Sequence, residues 1–275
     1  MKVFNLFKKR HHKSQREAVM SGLREHYDNV ELTLDPQQAD FSMSWGHKRT
    51  EGLANLVLEH GFVNSYHTNH AHEQSKAYGA IRNAFMSISW NGICGRTKWK
   101  VSGADSKRTQ MHGVSLCPWR AQEKSVLICL QMLRDASLER LRPPGKYNKW
   151  LRSIVKQANQ NYDTVYYKPH PKQPLGSIKG AVQIQGDIQQ VLDEVDCTIQ
   201  YSSTCAVDSI IRGVPAVTFS DMSVAHEMCS HTVGEATIRP DRSDWIDNLM
   251  YRQWTREEIA QGIWWDYYKG YLTDH

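Results

Sequence analysis

Tyr166-Tyr167-Lys168-Pro169-His170-Pro171-Lys172 and, further along, Tyr201-Ser202-Ser203-Thr204-Cys205-Ala206-Val207-Asp208-Ser209-Ile210-Ile211-Arg212-Gly213-Val214-Pro215-Ala216-Val217 decide how this chain is read. The first stretch closes an apolar strand. Its two prolines fix the backbone and hold an imidazole between two ammonium groups. His170 can donate a hydrogen bond to a phosphate oxygen, and Lys168 and Lys172 add positive charge. In the second stretch, Ser202, Ser203 and Thr204 stand between a strand and a helix. Small hydroxyls there offer an N-cap and free backbone N–H groups, a ready anion site. Capping alone accounts for one hydroxyl, not three. Asp208 falls one turn into the helix, where it either reaches a ribose or sugar hydroxyl or forms an ordinary salt bridge. Gly213 ends the helix. Each stretch thus puts phosphate-binding chemistry at the end of a buried strand. A rigid turn with exposed lysines is the plainer reading of the first.

Working outward, Ser125 to Gln131 reads as a strand, Tyr147 to Ala158 as a helix and Thr164 to Tyr167 as a strand. Then follow a helix over Ile188 to Val195, a strand over Cys197 to Tyr201, a helix over Thr204 to Arg212 and a strand over Ala216 to Phe219. Strands alternating with helices imply a parallel sheet covered on both faces. Ligands bind such sheets at the carboxyl ends of the strands, where both quoted stretches sit. Upstream, strands are predicted at Lys2 to Phe7, Asn29 to Leu34, Asp40 to Gly46, Leu56 to Gly61 and Ala84 to Gly92, with a helix over Ser14 to Tyr27. The last of these strands ends in a tight Asn91-Gly92 turn. The irregular segment Gly113 to Trp119 marks a domain boundary. In the tail, Thr255 and Glu258 fit a capping box. The aromatic end (Trp264, Trp265, Tyr267, Tyr268, Tyr271) predicts a last helix packed on a neighbouring domain. The domains expected are 1–122, 123–253 and 254–275.

The 275 residues suffice for one large domain or two ordinary ones, and a hydrophobic share of 40% argues against wholesale disorder. Lys+Arg 34 against Asp+Glu 29 gives a charge of +5, which permits a phosphorylated or polyanionic partner without requiring one. Cys94, Cys117, Cys129, Cys197, Cys205 and Cys229 include no C-x-x-C pair, which disfavours a zinc knuckle; reduced thiols are expected. There is no signal h-region and no apolar run of membrane-spanning length, so a cytoplasmic protein without membrane insertion is expected.

The pairing of K-P-H-P with S-S-T-x-x-x-D-x-I-x-x-G-V-P-A-V resembles the donor half of GT-B glycosyltransferases, above all the capsule-type Kdo and sialic-acid transferases. Three further segments resemble predicted glycosyltransferases of tailed phages: Leu58-Glu59-His60-Gly61-Phe62, Ser87 to Arg96, and Gln253 to Gly262. Asp208 stands where the capsule enzymes usually carry Glu. The resemblance implies a GT-B-like α/β fold: two Rossmann-like domains facing a cleft, with a C-terminal helix crossing back to the first. It implies a nucleotide-sugar donor held by Lys168, His170, Lys172, Ser202, Ser203, Thr204 and Asp208, with no essential metal or other cofactor.

The same resemblance makes the first domain the acceptor-binding one. Transfer to a hydroxyl needs a proton acceptor. Glu59 is the first candidate, with His60 and Asp105 as fallbacks. Arg96, after two glycines, is a candidate either to stabilise the departing diphosphate, a catalytic role shared with His170, or to hold an acceptor phosphate. Trp45, His60, Trp90 and Asn91 are candidate acceptor contacts. Lys8 to Lys13, Arg96 to Lys100 and Lys107-Arg108 are basic stretches able to follow a phosphate backbone. The acceptor expected is a hydroxymethylated pyrimidine in double-stranded phage DNA. A capsule or glycan acceptor, or a nucleic-acid-binding protein without catalysis, is the alternative. His67, His70, His72 and Glu73 have metal-like content but lack HExxH spacing, so a polar loop is the preferred reading over a metal-dependent hydrolase. His226, Glu227 and His231 are candidate nucleotide contacts in a loop after Asp221.

Overall fold

The computed structural model describes residues 1–7, 12–46, 50–63, 85–93, 100–173, 175–235 and 237–273. Two compact units form: Met1–Val114 with Ser243–His275, and Ser115–Arg242. The expected limits after 122 and 253 lie later along the chain than these. The segment before 122 is tied into the second unit: Cys117 N–H donates to Ile211 O (2.9 Å), Arg120 N–H to Gly213 O (2.8 Å) and the Trp119 indole to Pro240 O (3.0 Å). The chain after Ser243 bonds back to the first unit, as in Asn248 Nδ2 to Val101 O (3.1 Å).

The first unit opens with β1 (Lys2–Asn5), α1 (Lys13–Arg24), β2 (Glu31–Thr33), β3 (Phe41–Trp45), β4 (Asn55–His60), β5 (Phe85–Trp90) and α2 (Lys107–Met111). The second contains β6 (Ser125–Cys129), α3 (Lys146–Asn161), β7 (Thr164–Lys168), β8 (Val182–Gln183), α4 (Ile188–Asp193), β9 (Cys197–Gln200), α5 (Cys205–Ile211) and β10 (Ala216–Thr218). The return adds α6 (Ser243–Tyr251), β11 (Gln253–Thr255), α7 (Arg256–Ala260), a 3-10 turn (Ile263–Tyr267) and α8 (Gly270–Thr273).

In the second unit all strands run parallel, in the order β10-β9-β6-β7-β8. This is the order of a Rossmann half, with the reversal of winding between β6 and β9. Residues alternate between two covered faces. Val126 and Ile128 pack with Leu151, Ile154, Val155 and Ala158 of α3, while Leu127 and Cys129 pack with Val191 and Leu192 of α4. A strand buried on both faces reads as a continuous apolar run, which is why β6 is visible in the sequence.

The first unit's sheet has the order β11-β5-β4-β3-β1-β2. Strands β1 to β4 are parallel, and the winding reverses between β1 and β3. Strand β5 runs antiparallel to both β4 and β11. One face carries Val3, Phe41, Met43, Leu56, Leu58, Ile88, Trp90 and Trp254 against α1 and the tail aromatics. The other carries buried Ser42, Ser44, Ser87 and Ser89, with Asn55 bonding Ser42 and Ser44. The tail helix expected from the aromatic cluster is a 3-10 turn and a short helix whose Trp264, Trp265 and Tyr268 are fully buried in this same core.

Candidate functional site

The switch point of the second unit collects the ends of β7, β6 and β9. At the end of β7, the Lys168 ammonium donates to Gly186 O, which holds it beside the following loop. Two residues on, His170 Nδ1 accepts the Lys172 backbone N–H (3.1 Å). That bond requires an unprotonated Nδ1, so the neutral ring carries its proton on Nε2 and can donate from there. Burial, and then the charge of Lys172, lower the imidazole's pKa, with Asp135 opposing. His170 is therefore a neutral hydrogen-bond donor near neutral pH. Lys172 is exposed on the turn.

At the end of β9 the three hydroxyl residues separate. Ser202 is buried: its N–H donates to Gln131 Oε1 (2.9 Å) and its hydroxyl to Ser137 Oγ (2.7 Å). Gln131 Nε2 donates in turn to Ser202 Oγ (3.0 Å) and Ser137 Oγ (3.1 Å). Ser202 is thus a fastening between the β6 and β9 loops rather than a group presented outward, a correction to its expected role. Ser203 is half-buried, with its hydroxyl accepting the Cys205 N–H (3.3 Å), and Thr204 is exposed. Gln131 is the residue that sequence reasoning missed. A lone glutamine past a strand carries no motif signal.

Asp208, in α5, accepts from Gln189 Nε2 (2.8 Å) through Oδ1. Burial, then the neighbouring Cys205, pushes its pKa up to about 8 against the pull of Gln189 and Arg212. A carboxylic acid protonated at neutral pH can donate from its free oxygen and does not repel a phosphate. Beside β10, the rings of His226 and His231 stack (4.0 Å between centroids, 17° between planes), and His231 Nδ1 bonds Thr218 O (3.0 Å).

The first unit's switch point gathers other residues. His12 is buried and lies parallel to the Trp45 indole (4.6 Å), with Phe7 at its edge (6.1 Å). His60 stands edge-on to Trp45 (5.1 Å). Trp45 and His60 share the core-side face of the sheet. Glu59 alternates to the serine-bearing face, close to Gly46. His12 was not singled out in the sequence because its stacking partner, Trp45, belongs to a strand further along the chain.

Trp90 and Asn91 are corrected. Since β5 runs antiparallel, its end lies opposite Leu56, near the amino ends of the parallel strands and away from Glu59 and His60. Trp90 is fully buried, with its indole N–H donating to Tyr268 O (3.1 Å). Asn91 adopts φ +60°, accepts the Asn55 N–H (2.8 Å) and donates to the Tyr271 hydroxyl. Both build the fold. Asp105 is a poor base: hydrogen bonds from Tyr251 and Lys107 hold its pKa down to about 2. Arg108, expected to face phosphates, is buried in an ion pair with Glu258 (2.6 Å). Arg96, His67, His70, His72, Glu73, Lys8 to His11 and 47–49 lie outside the described residues. Among the described residues no three His, Cys, Asp or Glu are grouped to hold a metal ion, and no helix is long and apolar enough to cross a membrane.

Two α/β units with these strand orders and a returning C-terminal segment form a GT-B-type glycosyltransferase fold. In particular, the chain is similar to two solved structures from Thermosulfurimonas dismutans. KpsC, beta Kdo 2,7 transferase, matches with a TM-score of 0.56 and 13% identity, covering 96% of this chain and 98% of that one. KpsC, beta Kdo 2,4 transferase, matches with a TM-score of 0.56 and 13% identity, covering 90% and 89%. At that identity the likeness is one of fold. No protein-family model matches the chain, and no curated protein matches it in sequence.

Proposed function

We propose that this protein is a glycosyltransferase that binds a nucleotide-sugar at the second unit's switch point and passes the sugar to an acceptor hydroxyl. The observation that carries the reading is the placement of Lys168 and His170 at the end of β7 and of Ser203 at the end of β9, the two strands that flank β6, with Asp208 one turn into α5. In the transfer, the acceptor oxygen forms a bond to the anomeric carbon as the bond from that carbon to the phosphate oxygen breaks. Charge develops on the departing phosphate, where the Lys168 ammonium and the His170 Nε2–H stabilise it. The acceptor proton passes to a base, for which Glu59 at the end of β4 is the candidate. Trp45 and His60 supply an apolar wall with a polar edge at the same end of that sheet, suited to a sugar ring.

The acceptor is a glycan hydroxyl or a hydroxymethylated pyrimidine of DNA. Burial of Arg108 removes one basic contact from the DNA reading, and the solved structures of similar fold are named as Kdo transferases, which favours a glycan. The test is mass spectrometry of acceptors after incubation with a panel of activated sugars that includes activated Kdo. The acceptors are a Kdo-terminated oligosaccharide and hydroxymethylated DNA. A sugar mass added to either supports the reading and names the acceptor. His170→Ala is expected to lower kcat/KM about 100-fold, and His170→Gln, which keeps an N–H, by less. If no donor is consumed, or if His170→Ala transfers at the parent rate, the proposal fails.

A further inference from the structure

We propose that a polar groove between α1 and α7 is a second acceptor subsite, which holds a sugar unit of an oligosaccharide whose reacting end lies against Trp45 and His60. The proposal rests on the acceptor reading above and narrows it to a glycan.

The groove has a volume of about 420 Å³, inside the range of about 300–1,000 Å³ usual for small-ligand sites. Its shape follows from small residues on both helices. At Gly22 of α1 a Cβ would lie 2.0 Å from Ile259 O of α7, so the two backbones touch there and close one end. Beside that contact, the short side chains of Ala18 and Ala260 leave space between the helices. Polar side chains surround this floor: Ser14, Glu17 and Ser21 from α1, Arg256 and Glu257 from α7. The α1 residues recur three and four apart, which sets them on one face of the helix.

Both helices start at the sheet edge that carries Trp45 and His60. His60 pairs with Met86, and Met86 with Trp254, so Arg256 lies two residues beyond the row of His60. Strands β1, β3 and β4 are parallel, so α1, which follows β1, begins at that edge as well. His12, stacked on Trp45 at 4.6 Å, precedes Ser14 by two residues, about 7 Å of chain at most. The groove therefore opens beside the Trp45–His60 wall.

The lining selects the ligand. A sugar presents neighbouring hydroxyls, each of which donates one hydrogen bond and accepts others. Glu17 and Glu257 are exposed carboxylates, which only accept, through two oxygens each. Lys13 meets one Glu17 oxygen at 3.5 Å, which leaves the other for a ligand. The Arg256 guanidinium only donates, in a fixed plane. Ser14 gives its proton to Gln15 Oε1 (3.1 Å), so its oxygen faces a ligand as an acceptor. The groove thus offers both partners that a hydroxyl needs. Two carboxylates against one guanidinium repel the phosphates of a nucleic acid.

The test is calorimetry of the full chain, without donor, against a Kdo-terminated disaccharide and a Kdo-terminated tetrasaccharide. The longer chain reaches the groove and is expected to bind about tenfold more tightly. In Glu17→Gln with Glu257→Gln, and separately in Ser21→Trp, which fills the groove, the ratio of the two affinities is expected to fall to about one, with urea unfolding like the parent's. Equal binding of the two lengths by the parent, binding of neither, or an unchanged ratio in either variant overturns the proposal. Sugar transfer to these acceptors without a length advantage overturns the groove and leaves the transferase reading standing. A length advantage that the variants lose, in a chain that consumes no donor, keeps the groove as a glycan site and ends the transferase reading.

Discussion

Asp208, whose pKa burial raises, is the group on which the charge balance of the proposed donor site turns. An ordinary aspartate loses its proton near pH 4, whereas this one holds it to about 8. Between those values the folded chain binds more protons than the unfolded one. The group's contribution to stability is therefore complete below about pH 4 and lost as pH rises through 8. Asp208→Asn keeps the acceptor for Gln189 and has no proton to lose. Both chains should carry Cys205→Ser, since that thiol is lowered to about 7 and titrates in the same window. The Asn variant is then expected to gain on the order of 1–2 kcal/mol relative to its parent between pH 5 and pH 9, read by urea unfolding. UDP binding by the parent should weaken about threefold to tenfold over pH 7 to 9 as the Asp208 carboxyl gains a negative charge near the phosphate, while the Asn variant stays flat. An equal pH slope in both would refute the assignment. At this scale the sequence was informative where chemistry is local. The prolines flanking His170 and the helical position of Asp208 can be read directly. That Ser202 turns inward cannot, because its direction is set by Gln131, on another strand and 71 residues away.

Among the elements, α7 shows how local and distant signals combine. Its capping box is complete: Thr255 Oγ1 accepts the Glu258 N–H (3.2 Å) and Glu258 Oε2 accepts the Thr255 N–H (2.7 Å). Arg108 of α2 then forks onto both Glu258 oxygens, donates to Met250 O and Gln253 O, and lies over the Trp254 ring at 3.8 Å. One guanidinium thus fastens α2, α6, β11 and α7. Burial raises the Glu258 pKa, yet the Arg108 and Thr255 hydrogen bonds outweigh it and leave the carboxylate below its usual range. Its stabilisation is present above the unfolded pKa and lost as pH falls through the folded one. Arg108→Met strands that carboxylate and is expected to cost about 3–5 kcal/mol in urea unfolding, with the acid transition moved to higher pH. Arg108→Lys should recover only part, since an ammonium cannot fork. A cost under about 1 kcal/mol for Arg108→Met would contradict the account. The capping box is legible because its two residues are three apart. Arg108 reads as a surface cation because its partner is 150 residues away. Strands β8 and β11 escaped notice because two or three residues show no period. The reversal of β5, which misplaced Trp90 and Asn91, leaves no mark on a single strand's pattern.

Seen whole, the chain interrupts one unit with another, and the two should differ in autonomy. The second unit's ends are joined by its own contacts. Arg242 donates to Cys117 O (2.7 Å) and to Ile210 O (2.5 Å), its guanidinium lies over Trp119 at 4.0 Å, and the Trp119 indole bonds Pro240 O (3.0 Å). Gly213 secures the same seam. It takes φ +70°, and a Cβ there would lie 2.0 Å from Pro118 O, so no other residue fits the turn. The first unit lacks such closure within residues 1–114, because Trp254, Trp264, Trp265 and Tyr268 complete its core from the other end of the chain. Each fully buried aromatic of this size contributes a few kcal/mol, comparable together to a domain's whole stability. A fragment of residues 115–242 is therefore expected to unfold cooperatively in urea and to bind UDP or CMP within about tenfold of the full chain. A fragment of residues 1–114 should show no cooperative transition, and adding residues 243–275 through a flexible linker should restore one. A cooperative 1–114 fragment, or an unfolded 115–242 fragment, would mean that the two cores are not built as their contacts indicate.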